Sequence, residues 1–149
     1  MERITVFTPT YNRRQSLHRV FESLKRQTFR DFIWIIVDDG STDDTTSLVE
    51  EFKKKADFKI IYIYQQNAGK HSAINRALQE TTSELFLIAD SDDSFKENAL
   101  EVFINTWELI PEGERNQYKG VIAKCYNAED GTPIGSYPQH MFDSNDLDA

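Results

Sequence analysis

Three carboxylates crowd into four residues, Asp90-Ser91-Asp92-Asp93, directly after a short apolar run. Like charges this close repel and cost stability unless a cation or fixed donors compensate. In extended backbone Asp90 and Asp92 point the same way, about 6.6 Å apart at roughly 3.3 Å per residue. Two hard oxygen ligands on one side, completed by water and phosphate oxygens, suit Mg2+ or Mn2+ rather than zinc. A structural alternative exists, in which Asp92, Asp93 and Ser94 cap the next helix and favour its positive end. Capping accounts for one or two acids, not three. An EF-hand loop is excluded, because Phe95 stands where its sharp turn needs glycine.

Three further segments carry chemistry. Asn67-Ala68-Gly69-Lys70-His71 opens a helical pattern, and a helix start with free N–H groups attracts phosphate. A lysine at that end is electrostatically out of place unless an anion sits there, which singles out Lys70. His71 reads as a partly exposed helix residue and Arg76 as a surface or ion-pair residue. Asp38-Asp39-Gly40-Ser41 follows the most hydrophobic run of the chain, where Asp39 can accept hydrogen bonds from a base or ribose. Equally, the acidic pair can simply solvate a strand end. Ser41 and Asp44 fit a capping box, making Asp43 and Asp44 helix-start residues. Thr8-Pro9-Thr10-Tyr11-Asn12-Arg13 places Tyr11 where its ring can stack on a nucleobase or merely cover the first helix.

The elements that must position these segments follow from periodicity. Apolar runs at Ile4 to Phe7, Phe32 to Val37, Phe58 to Tyr64 and Leu85 to Ala89 each read as a buried strand. Between and after them lie helical faces: Leu17, Val20, Phe21 and Leu24; Leu48, Val49 and Phe52; Ala73, Ile74, Ala77 and Leu78; Leu100, Phe103, Ile104 and Trp107. This alternation predicts an α/β fold, a mostly parallel sheet flanked by helices on both faces. In such sheets ligands bind beyond the carboxyl ends of the strands, which is where the four segments fall. After Pro111, residues Val121 to Tyr126, the Asp130-Gly131 turn and Thr132 to Tyr137 predict a β-hairpin or edge strands.

Composition sets the outer limits. The chain has 149 residues, 17 Lys and Arg against 25 Asp and Glu, and one cysteine. Five of the carboxylates lie between Asn127 and Ala149, a stretch without Lys or Arg, so the body is near charge balance. No basic footprint for nucleic acid exists. Neither a membrane-length apolar run nor a basic-then-apolar leader is present, and a lone Cys125 suits a reducing compartment, so the expected location is cytoplasmic.

Taken together and in this order, the segments resemble the N-terminal, nucleotide-sugar-binding portion of family 2 glycosyltransferases, inverting enzymes of the GT-A (Rossmann-like) fold. The resemblance runs from Ile4 to about Tyr126, and Gln27-Thr28-Phe29, Asn67-Ala68-Gly69 with Asn75, and Asp38 to Asp43 share in it. It implies a core over residues 1–126, followed at 127–149 by the hairpin remainder and an acidic tail. It implies that Thr8, Pro9 and Tyr11 line the base pocket, with Tyr11 stacking on the ring. Asp39 would accept from the base, most commonly uracil, with Arg13 nearby. Lys70 would approach the diphosphate. Asp90-Ser91-Asp92 matches the DXD motif, in which Asp92 coordinates a divalent cation and Asp90 supports the metal or the ribose. The acceptor would be a glycan or a lipid-linked sugar, and the full-length enzyme would have scope for peripheral membrane association. Two departures stand out: Glu97 where many relatives have proline, and the Lys70-His71 pair, a subgroup feature.

Inverting transfer also needs a general base, which in this family is an acidic residue well downstream. Glu129 and Asp130 read as turn chemistry, and Asp143 lies in the acidic tail. The expectation is therefore a donor-binding portion that binds nucleotide without transferring sugar. Rival classes are a binding-only relative, a receiver-type signalling module and a dehalogenase-type phosphatase. The last two need their acids after the first strand, where this chain has Thr8-Pro9-Thr10.

Overall fold

The structure is a computed structural model that describes residues 2–135. It divides into a compact unit ending at Tyr118 and a second beginning at Lys119. In the first, four β/α repeats alternate: β1 (Ile4–Thr10), α1 (Arg14–Lys25), β2 (Phe32–Asp38), α2 (Thr45–Lys55), β3 (Lys59–Tyr64), α3 (Lys70–Glu80), β4 (Leu85–Ile88) and α4 (Ala99–Glu108). A 3-10 turn, Glu112–Gln117, follows.

All four strands are parallel and lie in the order β3-β2-β1-β4. The chain winds from β1 outward to β3, then crosses back to β4. Ligand clefts in such sheets open where the strand order reverses, here between the carboxyl ends of β1 and β4. Alternation along the strands builds two cores. Ile4, Val6, Trp34 and Ile36 pack with Leu17, Phe21 and Leu24 of α1, Leu48 and Phe52 of α2, and Leu100 and Ile104 of α4. Phe7, Ile33, Ile35 and Val37 face the other way, against Ala73 and Ala77 of α3. Phe21 and Phe52 stack at 4.1 Å between centroids, with Trp34 beside them, so the first core carries the aromatic bulk.

The helical faces of α1 and α2 are buried as their spacing predicts. Two expectations need correction. The third and fourth strands are only partly buried, because they form the sheet's two edges and lack a neighbour on one side. Leu78, read as part of the α3 face, is 48% exposed, and α3 meets the sheet through its alanines.

The second unit contains a short antiparallel pair, β5 (Cys125–Tyr126) with β6 (Pro133–Ile134). Its turn is closed by Asn127 N–H to Thr132 O (2.8 Å) and by Asp130, which accepts from Thr132 N–H and Oγ. Asp130 is thus turn chemistry, as is Glu129, whose N–H donates to Asn127 Oδ1. Tyr137, Asp143 and the rest of the acidic tail lie outside the described residues.

Candidate donor-binding site

The four strand-end segments are joined to one another by hydrogen bonds at the carboxyl edge of the sheet. The turn after β1 is tied to the loop after β2. Asn12 adopts a left-handed backbone (φ 51°), which Asn tolerates, so that its N–H reaches Ser41 Oγ (2.8 Å) and its side chain accepts from Thr42 N–H (2.8 Å). Asp43 accepts from Arg14 N–H at 3.0 Å and so satisfies a donor at the start of α1. Ser41 therefore does not begin a capping box. Helix α2 starts at Thr45, its cap residue Asp44 is left-handed (φ 60°), and the Ser41 hydroxyl is spent on Asn12.

Asp38 and Asp39 do not simply solvate a strand end, since both are buried and each accepts hydrogen bonds from other segments of the chain. Asp38 accepts from Ser41 N–H (2.7 Å) and Tyr62 Oη (2.6 Å), and burial together with this carboxylate raises the Tyr62 pKa. Asp39 takes Ala68 N–H and Gly69 N–H at 2.8 Å each, plus the Gln65 amide at 2.7 Å. Gly40 between the motifs has φ +88°, and a Cβ there would sit 3.1 Å from Asn67 N, so only glycine lets this loop approach so closely.

Burial pushes the Asp39 carboxyl upward, but its three donors outweigh that and hold it below its ordinary value. Asp43 is held low in the same way, burial being overcome by hydrogen bonds from Thr45 and Arg14. A carboxyl that ionises more readily folded than unfolded contributes stability above its unfolded pKa and loses it as pH falls through the lower folded one. Stability is expected to be flat above the ordinary carboxylate range and to fall as pH drops below it. Urea denaturation at pH 3 to 6 checks this, with Asp43→Asn showing the shallower acid limb.

Gly69 leads into α3, whose first residue reaches the fourth segment: Lys70 Nζ lies 2.5 Å from Asp90 Oδ1, both side chains half exposed. The acidic turn itself is closed by Asp90 N–H to Asp93 Oδ2 (2.9 Å) and Asp93 N–H to Asp90 O (3.0 Å). Partial burial, with Asp90 and Asp92 alongside, raises the Asp93 pKa. These acids do not cap α4, because that helix begins only at Ala99 with Asn98 as its cap. Among the described residues no three His, Cys, Asp or Glu side chains converge into a ready-made metal cage, and Asp92 is exposed without a hydrogen bond or ion pair. The donor set is two carboxylates presented to solvent beside a cationic side chain. Such a set suits a hard cation whose other ligands are phosphate oxygens and water.

Of the other expected residues, Tyr11 is 50% exposed, Pro9 partly exposed and Arg13 exposed, all at the β1 end. Thr8 is buried, and its hydroxyl accepts from Trp34 Nε1 at 2.9 Å, so its side chain belongs to the α1-facing core. Its neighbour Thr10 is buried with no partner for its hydroxyl among the described residues. His71 is exposed, and Arg76 pairs with Glu80 at 3.2 Å. Sequence reasoning missed Gln65, whose only signal was a polar amide just after an apolar run, and named Gln27 within Gln27-Thr28-Phe29 without giving it a role.

A model of the family described as glycosyl transferase family 2 matches residues 5–146. The chain belongs to glycosyl transferase family 2. The chain is 33% identical over 133 residues to the GalNAc(5)-diNAcBac-PP-undecaprenol beta-1,3-glucosyltransferase of Campylobacter jejuni, covering 88% of this chain and 40% of that one. It is 32% identical over 103 residues to the poly(ribitol-phosphate) beta-N-acetylglucosaminyltransferase TarS of Staphylococcus aureus, covering 68% and 18% respectively. It thus spans less than half the length of either relative. The solved structure of S. aureus TarS 1-349 in complex with UDP-GlcNAc superposes with a TM-score of 0.60 at 32% identity, over 71% of this chain and 32% of that one. A mannosyltransferase from Pyrobaculum calidifontis, solved with GDP-Man and Mn2+, gives 0.60 at 29% identity, over 62% and 28%. The fold of the chain is GT-A, as its motifs imply.

Proposed function

We propose that this domain binds a nucleoside-diphosphate sugar, specifically a UDP-sugar, through Mg2+ or Mn2+, for inverting transfer to a glycan or lipid-linked acceptor. The observation that carries the reading is the Lys70–Asp90 contact, which brings a phosphate-type helix start against the acidic turn beside the point where the strand order reverses. The relatives' complexes with UDP-GlcNAc and with GDP-Man and Mn2+ support it.

In this reading Tyr11 offers its exposed ring to the base, with Pro9 and Arg13 beside it. A carboxylate has about four acceptor positions. Three on Asp39 serve Gln65, Ala68 and Gly69, and the fourth accepts the base N–H. Lys70 leaves Asp90 to contact the diphosphate, while Asp92 and Asp90 hold the cation. When bound, that cation supplies positive charge where the departing nucleoside diphosphate gathers negative charge. The general base of transfer is assigned to no residue of this chain.

Calorimetric titration with UDP tests the reading. Binding is expected with Mn2+ or Mg2+ and much weaker binding with EDTA, because the carboxylates of the turn and a diphosphate repel without a cation between them. Equal affinity in both conditions would remove the metal from the reading, and no binding in either would remove the donor.

A further inference from the structure

Just beyond α1 the buried Gln27, 1% exposed, links the end of that helix to the start of α4 through its side chain. Its Nε2 donates to Lys96 O at 2.8 Å as well as to Ser23 O at 3.1 Å, and its Oε1 accepts from Leu100 N–H at 3.0 Å. Leu100 is in the first turn of α4, where N–H groups have no partner within the helix, and Asn98 provides no side-chain cap. Gln27 therefore caps α4 from 73 residues away. Its neighbour repeats the grip: Thr28 N–H donates to Glu97 O at 2.8 Å and Thr28 Oγ to Glu101 Oε2 at 2.7 Å.

These bonds hold the chain just beyond the acidic turn. On the near side the turn is fixed to the sheet by Ala89 N–H to Phe7 O at 2.8 Å. Between the two anchors, among the described residues, the backbone of the Asp90–Asp93 turn is closed by bonds within the turn, and its side-chain tie to another segment is Lys70 Nζ to Asp90 Oδ1. Its local shape is thus self-made, whereas its place at the β1 end depends on both anchors, which the half-exposed Lys70–Asp90 pair supplements.

We propose that Gln27 is a positioning residue for the Asp90–Asp92 carboxylates, setting where they meet the cation and diphosphate. This rests on the donor-site reading above. Groups that orient ligands of a metal typically change affinity by about 10- to 100-fold when removed. A purely structural glutamine would lower stability and leave the folded protein's affinities alone.

The test titrates the wild-type chain and Gln27→Leu with uridine and, separately, with UDP plus Mn2+. For the variant, uridine affinity is expected to stay within about twofold and Mn2+-dependent UDP affinity to fall about tenfold or more. A folded Gln27→Leu with unchanged UDP–Mn2+ affinity overturns the proposal alone. A wild-type chain without Mn2+-dependent UDP binding overturns the donor reading and this assignment with it. If Gln27→Leu fails to fold, Gln27→Glu, which is isosteric and retains the acceptor for Leu100, takes its place with the same expected split. Hydrogen exchange on the wild type adds a check free of any variant: Leu100 N–H should be protected like the central strands, and rapid exchange there overturns the capping role.

Discussion

Asp39→Ala is expected to cost about 2–4 kcal/mol of stability and to weaken UDP at least about tenfold. Hydrogen bonds to a charged partner contribute roughly 1.5–3 kcal/mol each, and this carboxylate accepts three while only 6% exposed. The sum is not additive, because Ala68 and Gly69 are exposed and their N–H groups regain water once released. For a domain of this size each kcal/mol is worth about 2–4 °C, so scanning calorimetry should register a clear drop in Tm. Two consequences separate in the binding data. Uridine reports the loss of the acceptor facing the base, while UDP also feels the loosened start of α3 beside Lys70. A lowered Tm with unchanged uridine affinity would leave Asp39 as scaffold only.

Asp92→Asn acts in the opposite sense on stability. The side chain is exposed without a partner among the described residues, and removing its charge slightly relieves its neighbour Asp93, whose pKa is raised by partial burial first and by Asp90 and Asp92 beside it. The fold should be unchanged or slightly more stable. Mn2+-dependent UDP binding should nevertheless fall by about two orders of magnitude. Losing one of two carboxylates that hold a hard cation removes a charge–charge attraction of several kcal/mol, which the exposure of Asp92 screens to about 3 kcal/mol, and about 1.4 kcal/mol is a factor of ten. The measurement is calorimetry of UDP with Mn2+, beside a thermal melt. An unfolded Asp92→Asn would make the acidic turn a structural device and remove it from the binding site.

The repeating β/α order is legible in the sequence because four apolar runs and the intervening helical faces have distinct periods. Burial at the edges is not. An apolar run records that a strand faces helices, not whether another strand lies beside it, and so β3 and β4 read as deeper than they are. The candidate site is legible as four strand-end segments, since topology alone brings such ends to one edge. Which atoms meet there is a matter of long-range pairing. Nothing local connects Lys70 to Asp90, Asn12 to Ser41, or Gln27 to Leu100, and the hydroxyl of Ser41 fits a local cap on paper while bonding across a loop in the fold. Thr8 illustrates the same limit, because its strand-end position suggests ligand contact and its side-chain parity points it to Trp34.

The unequal anchoring of the helices has a consequence for how the domain breathes. Helices α1 and α2 are fastened by aromatic and leucine side chains, whereas only Ala73 and Ala77 of α3 are buried, on the opposite face. Segments with few buried apolar contacts detach at a lower free energy than the global unfolding event. Helix α3 is thus the segment whose local opening equilibrium is easiest to shift, and it begins with Lys70, directly after the Ala68 and Gly69 amides that Asp39 grips. Any anion that binds this turn draws part of its affinity from closing that equilibrium, so occupancy at the strand ends and the residence of α3 on the sheet are one thermodynamic quantity read from two places.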